Sequence, residues 1–522
     1  MKIYNNGILG YKAIIVLFTI IQISIVSIIA LTGDYECYVC QNYLLSNRII
    51  LFFSFLLIVI TCFIVIFLEQ KIIRINIFLF LLVASIALFG LQLFITNYIY
   101  FYPGWDARGI RITVEEFIRS NGNIEVLPYP FSTYPNNINI TAIYIFIYKG
   151  FNYFGLSGYK GLLIFSNLSV NLAGVCTFLC TYKLTQKPIY AIFSWGFYVL
   201  LVALSPWVTI PYTDTYSILF PILSFTIYIS RKSSRKNYFS WFLISFISIF
   251  GYSIKPPTII VFVAIILIES WKLISNFERN LLLHKFISCL AIIAAIIPNL
   301  LINSTIANYL KFDINDNRRF TMLHYIMMGL EEKTDGVFSL DDYLFSSSFN
   351  TVEERNTENF SVIKQRLKRF GINGYLQFLP KKALVNFSDG SFAWSIEGDF
   401  YDQTNEKDGS VVKILRSFYY ERGANYLLFL TSVQIFWYFI LLLLLGLCLL
   451  INKAEYKICV LIVTIIGIYF FVMLFEARAR YLFSFTPFFI SGAGIAIYNI
   501  NLAIVKRKLF PKYYKKYYQL SL

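Results

Sequence analysis

The sequence predicts an all-α, polytopic membrane protein with about twelve (12–13) transmembrane helices and a large outer loop region ahead of the last three. Three observations predict it. Apolar residues make up 58% of the chain and mean hydropathy is +0.64. Apolar runs long enough to span a bilayer recur along most of the length. Lys and Arg collect in alternate short loops, as expected where those loops face the cytoplasm.

Taken in order, the spanning segments are 12–32, 49–68, 75–98, 160–182, 188–206, 212–230, 238–253, 256–275, 283–303, 425–451, 457–475 and 481–501. The first lacks a small-residue cleavage site and is expected to stay as an anchor. A thirteenth apolar piece, ITAIYIFIYKGFNYFG at 140–155, is shorter and contains Lys149. Whether it spans decides the sidedness of everything after it.

Twelve spans with a cytoplasmic N-terminus satisfy the charge rule best. The short inner loops then hold Lys71 and Arg74, Lys183 and Lys187, Arg231, Lys232, Arg235 and Lys236, Lys272, Arg279 and Lys285, and Lys453 and Lys457. The basic tail KRKLFPKYYKK also falls inside. Short outer loops keep only Arg48, Lys255, Arg478 and Arg480. Thirteen full spans would turn the RKSSRK loop and the tail outward. The formal charge of +16 therefore reads as topology and attraction to anionic inner-leaflet lipid, with no nucleic-acid partner expected.

Three regions organise the chain: a membrane core over 1–303 with a first outer loop at 99–159, an extracytoplasmic insertion over 304–424, and the last three spans with the basic tail over 425–522. The insertion is charged and aromatic, and within it VIKQRLKRFGINGYLQFLPKKALVNF has amphipathic spacing. Val362, Leu367, Phe370 and Leu376 against Lys364, Arg366, Lys368 and Arg369 suit a helix lying on a membrane face or one packed on a small domain of its own.

Cys62, Cys176, Cys180, Cys289, Cys448 and Cys459 fall in or beside apolar spans and act as small hydrophobes. Cys37 and Cys40 form an outer CYVC pair that could be a disulfide, a weak metal site or neither. One CxxC without further Cys or His partners is poor evidence for metal, and no cofactor is expected. The 39 Tyr and 52 Phe fit interfacial belts and helix packing, although Trp105, Tyr134 and Trp394 could stack on a ligand ring. The Ile, Asn, Lys, Tyr and Phe bias suits an AT-rich bacterial genome.

Several chemistries lose support from the motifs. The chain has no P-loop, no G-x-G-x-x-G after a strand, no HExxH and no G-x-S-x-G. What stands out instead is YFYPGWDARGIRITVEEF at 100–117, which carries Asp106, Glu115 and Glu116 directly after a long apolar run. Charges at helix ends near the membrane are costly to hold and mark functional candidates. Asp106, Asp214, Lys255, Glu476, Arg478 and Arg480 all fall at outer helix ends in the twelve-span layout, where they can converge on one cavity. The plainer roles are a solvated acid at Asp106, a helix cap at Asp214 for TYSILFPIL, and snorkelling anchors at Arg478 and Arg480 paired with Glu476. His324, in MLHYIMMGL, suits a packed structural role better than an acceptor site, and His284 suits an inner-boundary surface position.

Over residues 75–500 these motifs resemble the GT-C class of integral-membrane glycosyltransferases, especially the protein mannosyltransferase-like, family-39-type branch that uses a polyprenyl-phosphate sugar. The acidic first outer loop of that class is matched by GWDA with Asp106, and its Tyr-Pro return by STYPNNINI with Tyr134 and Pro135. A later outer turn is matched by SPWVTIPYTDT with Asp214, and the terminal Arg-Tyr and capping Pro by FEARARYLFSFTPF with Arg478, Arg480, Tyr481 and Pro487. Many members carry two adjacent acids in the first loop. Here Ala107 follows Asp106, so the second acidic role falls to Glu115, Glu116 or Asp214. The spans 12–32 and 49–68 are extra to the simplest layout of the class.

The resemblance implies a bacterial plasma-membrane enzyme with cytoplasmic termini and an extracytoplasmic active site. It would move a sugar from a polyprenyl-phosphate donor to a cell-wall polysaccharide, teichoic acid or glycolipid. Asp106 would take the acceptor's proton, and Arg478, Arg480 and Lys255 would hold the departing phosphate without metal. One-step displacement would invert the anomeric carbon. A polymerase or ligase of lipid-linked saccharides differs by its diphosphate-linked donor. A flippase or transporter would call for charges deep within spans and an internal repeat, neither of which the sequence shows.

Overall fold

The computed structural model describes residues 2–32, 43–69, 76–124, 131–231, 237–275, 282–397, 402–403, 408–453 and 455–506. Cys37, Cys40, most of the RKSSRK loop and nearly all of the basic tail lie outside the described residues.

Helices dominate the architecture. α1 (Lys2–Thr32), α2 (Asn47–Glu69) and α3 (Ile77–Tyr98) precede a connecting segment with β1 (Phe101–Tyr102), α4 (Trp105–Arg119) and α5 (Asn137–Tyr153). A run of membrane helices follows: α6 (Gly158–Thr185), α7 (Pro188–Tyr198), α8 (Thr213–Ser217), α9 (Leu219–Ser230), α10 (Tyr238–Ile254), α11 (Ile260–Ser275), α12 (Leu282–Ala294) and α13 (Ile296–Leu310). The insertion contributes α14 (Met322–Met328), α15 (Leu340–Ser347), α16 (Val352–Phe387), α17 (Trp394–Glu397), β2 (Asp402–Gln403) and α18 (Ser410–Tyr419). The chain closes with α19 (Tyr426–Leu444), α20 (Tyr456–Leu474) and α21 (Thr486–Lys506).

Among the described residues nine helical segments are long and apolar enough to cross a membrane, and they coincide with nine of the expected spans. The remaining three fold as shorter helices. α10 has 17 residues, and 188–206 holds α7 with a π-helical turn over Val199–Ala203. The run 212–230 is split into α8 and α9, because Pro221 has no N–H for the carbonyl four residues back, that of Ser217. α5 is a 17-residue helix packed on α4, α6, α10 and α13.

The core lies among the later helices. Buried Trp437, Tyr438 and Phe439 of α19, Ile465 and Tyr469 of α20, and Phe488 and Phe489 of α21 form one cluster with α6, α7 and α9. Gly446, Gly467 and Gly492 sit where neighbouring side chains would meet an added Cβ within 3.0 Å, which is the close helix approach that membrane packing favours. By contrast, α12 and α13 are largely exposed along their apolar length and present that surface to lipid.

Most of the insertion is a small helical domain. Met327, Leu330 and Ile363 form its core, and buried Arg355 donates to the carbonyls of Ser346, Asn317, Arg319 and Phe349. Of the amphipathic stripe, Val362 and Phe370 pack on this core while Leu367 and Leu376 stay exposed. Arg366 pairs with Asp342 at 2.7 Å and with Glu331. At Gly371 the backbone turns to φ +57°, a conformation that glycine alone adopts without strain, and breaks α16 into two arms. The second arm runs against α1 and α20 and carries Lys382 and Asn386 to the end of the bundle where α20 stops.

Candidate active site

Five chain segments meet at that end. α4 begins after Pro103, with Gly104 as its cap residue and Asp106 in its first turn, where a carboxylate is favoured by the helix dipole. Its apolar residues Ala107, Ile110, Val114 and Phe117 recur at helical spacing and are buried, which sets the helix's rotation. Trp105 is held at φ +43°, a strained conformation for a side-chain-bearing residue, immediately before Asp106.

α10 ends at Ile254 because Pro256 and Pro257 follow, and this stop leaves Lys255 buried at the break. The segment from Ser205 to Tyr212 brings Trp207 and Tyr212 under the site and starts α8 with buried Asp214. After α20 the backbone is extended at Phe475 and Arg478, then coils into a 3-10 turn over Ala479–Phe485. That connection presents Glu476, Arg478 and Arg480.

The fifth segment is SDGSFAWSIE, residues 388–397, in which Trp394 is a sequence candidate but Asp389 and Glu397 are not. Buried Asp389 accepts from the backbone N–H groups of Ser391 and Ala393 and from the hydroxyls of Ser391 and Ser395, at 2.6–3.1 Å. These bonds fold a turn in which Phe392 and Ala393 both adopt positive φ, and the turn delivers Glu397 to the arginines. Asp-Gly-Ser is turn chemistry legible in a sequence, but its target is not.

The charged groups form an alternating chain. Lys255 pairs with Asp214, whose other oxygen lies 3.7 Å from Arg480 Nε. Arg480 Nη1 donates to Glu397 Oε2 at 2.6 Å, and Arg478 Nη1 donates to Glu397 Oε1 at 2.9 Å. Arg478 also pairs with Glu476 at 3.1 Å, and Tyr481 donates to the same carboxylate at 3.0 Å. Arg480 lies over the Tyr212 ring at 4.8 Å, and Arg478 lies over Trp105 at 5.8 Å. Three cations thus face three carboxylates in a nearly dry setting, where each pair is held by its neighbours.

Asp106 stands beside this chain without joining it. It is half-buried and has no hydrogen bond or ion pair among the described residues. Burial pushes its carboxyl up to about 6, against the opposing pull of Arg480 and Arg478, with Glu476 adding to the rise. Arg478 Nε is buried and also lacks a hydrogen-bond partner among the described residues.

The structure brings together Asp106, Asp214, Lys255, Arg478 and Arg480. Glu115 and Glu116 lie farther along α4, paired with Arg111 at 2.8 Å and Arg119 at 2.6 Å. Their separation from Asp106, nine or ten residues, is about 14 Å along a helix axis. Tyr134 packs edge-on against Phe320 of the insertion. His324 is buried, its ring tilted against Phe320 with centroids 4.0 Å apart, and its Nδ1 is 2.7 Å from Ser346 Oγ. Burial, aided by Arg355, lowers its pKa to about 3, so it is neutral at ordinary pH. Trp394 is buried between Phe101 and Trp207 and donates to the carbonyl of Tyr419. No group of three or more His, Cys, Asp or Glu suited to a metal ion occurs among the described residues.

Residues 8–500 match the model of a family described as conserved hypothetical integral membrane protein. The chain belongs to that family. It is a multi-pass membrane protein. No protein of curated function matches the sequence. Among solved structures, ArnT from Cupriavidus metallidurans in the apo state aligns with TM-score 0.30 and 12% identity, over 80% of this chain and 76% of that one. The same protein bound to undecaprenyl phosphate aligns with TM-score 0.28 and 12% identity, over 80% and 77%. At these scores the likeness assigns no role to any residue.

Proposed function

We propose that this protein is a GT-C-like membrane glycosyltransferase that moves a sugar from a polyprenyl-phosphate donor to an acceptor of the cell envelope. One observation carries the reading: Asp106 is an unpaired, half-buried carboxylate with its pKa near 6, set beside two arginines at the end of a bundle of spans. A carboxylate tied into an ion pair is a weak base. One left unpaired with a raised pKa is suited to taking a proton at neutral pH.

In this reading the acceptor hydroxyl attacks the anomeric carbon while Asp106 accepts its proton. The bond from that carbon to the phosphate oxygen breaks, and the polyprenyl phosphate leaves with the electron pair. Arg478 and Arg480 stabilise the phosphate by charge-assisted N–H donation, the unfilled Nε–H of Arg478 among the donors. Lys255 acts through Asp214, fixing the carboxylate beside Arg480. Glu397 holds the two guanidinium groups side by side before donor arrives. Displacement in one step inverts the sugar's anomeric configuration.

The test is transfer from synthetic polyprenyl-phosphate hexoses by purified protein, with Asp106→Asn as the comparison. Loss of about 10²–10⁴-fold in transfer with donor binding retained is expected. Neither transfer nor consumption of any such donor by the wild type would sink the assignment, and use of a diphosphate-linked saccharide instead would make the protein a polymerase or ligase.

A further inference from the structure

At the opposite end of the bundle, α9 stops at Ser230 and α10 starts at Tyr238. Between them lies a cavity of about 330 Å³ lined by Thr226, Ile227, Ser230, Arg231, Asn237 and Ser240. That volume falls at the lower end of the range for small-ligand sites, roughly 300–1,000 Å³. Five of its six lining side chains are polar. Thr226 and Ser230 donate their hydroxyls to carbonyls of their own helix. Ser240 has no hydrogen-bond partner among the described residues, so its hydroxyl is available to a ligand.

Arg231 is built into the cavity wall. Its guanidinium lies 4.5 Å from the Tyr228 ring and 4.0 Å from the Trp241 ring, against two aromatic rings that are themselves neighbours. Nε donates to the Tyr228 carbonyl and Nη2 to Glu269 at 3.0 Å, which leaves further N–H groups of its five. The surroundings are electropositive. Glu269 also pairs with Lys285 at 3.4 Å and faces Lys272, while Lys457 donates to the Ile229 carbonyl with Glu455 close by. Among the described residues Arg231, Lys272, Lys285, Lys457 and Lys183 face Glu269 and Glu455, so cations outnumber carboxylates here. The first turn of α10, at Asn237 and Ser240, adds the positive end of a helix dipole.

The geometry points to a binding site for the phosphate headgroup of an anionic phospholipid in the leaflet at this end. An apolar surface for acyl chains adjoins it, since Phe239, Trp271, Ile274, Leu283 and Phe286 of the same helix ends are exposed. A soluble phosphate ester would not call for that surface. Basic pockets between helix ends on the cytoplasmic side are where anionic headgroups are held. The inference stands apart from the transfer reaction, because the two sites are at opposite ends of α9.

Native mass spectrometry of the full-length protein in detergent tests it, with phosphatidylglycerol and phosphatidylcholine compared as added lipids. One phosphatidylglycerol should remain bound where phosphatidylcholine is stripped. Arg231→Gln and Ser240→Leu should each weaken that retention at least about tenfold, the effect of losing one charge-assisted hydrogen bond or of filling the cavity. Ser240→Leu leaves the Arg231–Glu269 pair intact and decides the matter should Arg231→Gln fail to fold. Equal retention of both lipids, or unchanged retention in Ser240→Leu, would overturn the site. Inorganic phosphate raising the melting temperature as much as phosphatidylglycerol would overturn the lipid assignment.

Discussion

Two carboxylates that both feel Arg480 have opposite situations, and this difference sets what each substitution does. Asp214 is 1% exposed and paired with buried Lys255, so Asp214→Asn leaves an ammonium in a dry site without its counter-charge. A loss of about 3–5 kcal/mol of stability is expected, read as an early thermal transition in detergent. Asp106 has no hydrogen-bond or ion-pair partner among the described residues, so Asp106→Asn should leave the stability within about 1 kcal/mol of wild type while removing transfer. If both variants unfold alike, Asp106 belongs to the structural chain. Its pKa also gives a sign: a base must be ionised, so transfer should fall as pH drops through about 6 and stay level above it. A rate unchanged between pH 7 and pH 5 would remove Asp106 from the role of base.

The decisive element is a turn rather than a helix. Asp389 takes four donors to hold Phe392 and Ala393 in left-handed backbone, and only this shape brings Glu397 between Arg478 and Arg480. Asp389→Ala should cost on the order of 3 kcal/mol, since several buried donors lose a charged acceptor together. Transfer should fall with it. Glu397→Gln keeps the turn but sets an amide NH2 against one of two buried guanidinium groups, so it should lower transfer and cost about 3–5 kcal/mol of stability. An Asp389→Ala protein with normal melting and normal transfer would show that the turn does not shape the site.

Between the insertion and the bundle stands Lys382, buried, donating to the Gly329 carbonyl at 2.5 Å and the Phe475 carbonyl at 2.7 Å. Burial, opposed by Glu476, lowers its pKa to about 7, well below the ordinary value near 10.4. From about pH 7 to pH 10 the unfolded chain therefore binds a proton that the folded chain does not, and raising the pH favours the folded state through this group. A neutral amine still donates both hydrogen bonds. The stability difference between wild type and Lys382→Met should accordingly grow with pH across that window, measured by thermal unfolding. A difference that is flat or shrinks with pH would show that Lys382 remains charged in the folded protein.

Much of this architecture is readable along the chain. Long apolar runs must become helices in a bilayer, because each backbone N–H and C=O has to be satisfied within its own segment, so the spans follow from local composition. Costly charges at helix ends singled out Asp106, Asp214, Lys255, Arg478 and Arg480, and these do meet in space. The break inside 212–230 was also latent in Pro221. What tertiary structure alone decided is the pairing. Glu397 lies more than eighty residues from Arg478 and Arg480, and nothing in the local pattern of SDGSFAWSIE separates it from a solvated loop acid. Which carboxylate is bound and which is left unpaired depends on distances between segments that share no sequence periodicity, and so does the basicity of Asp106.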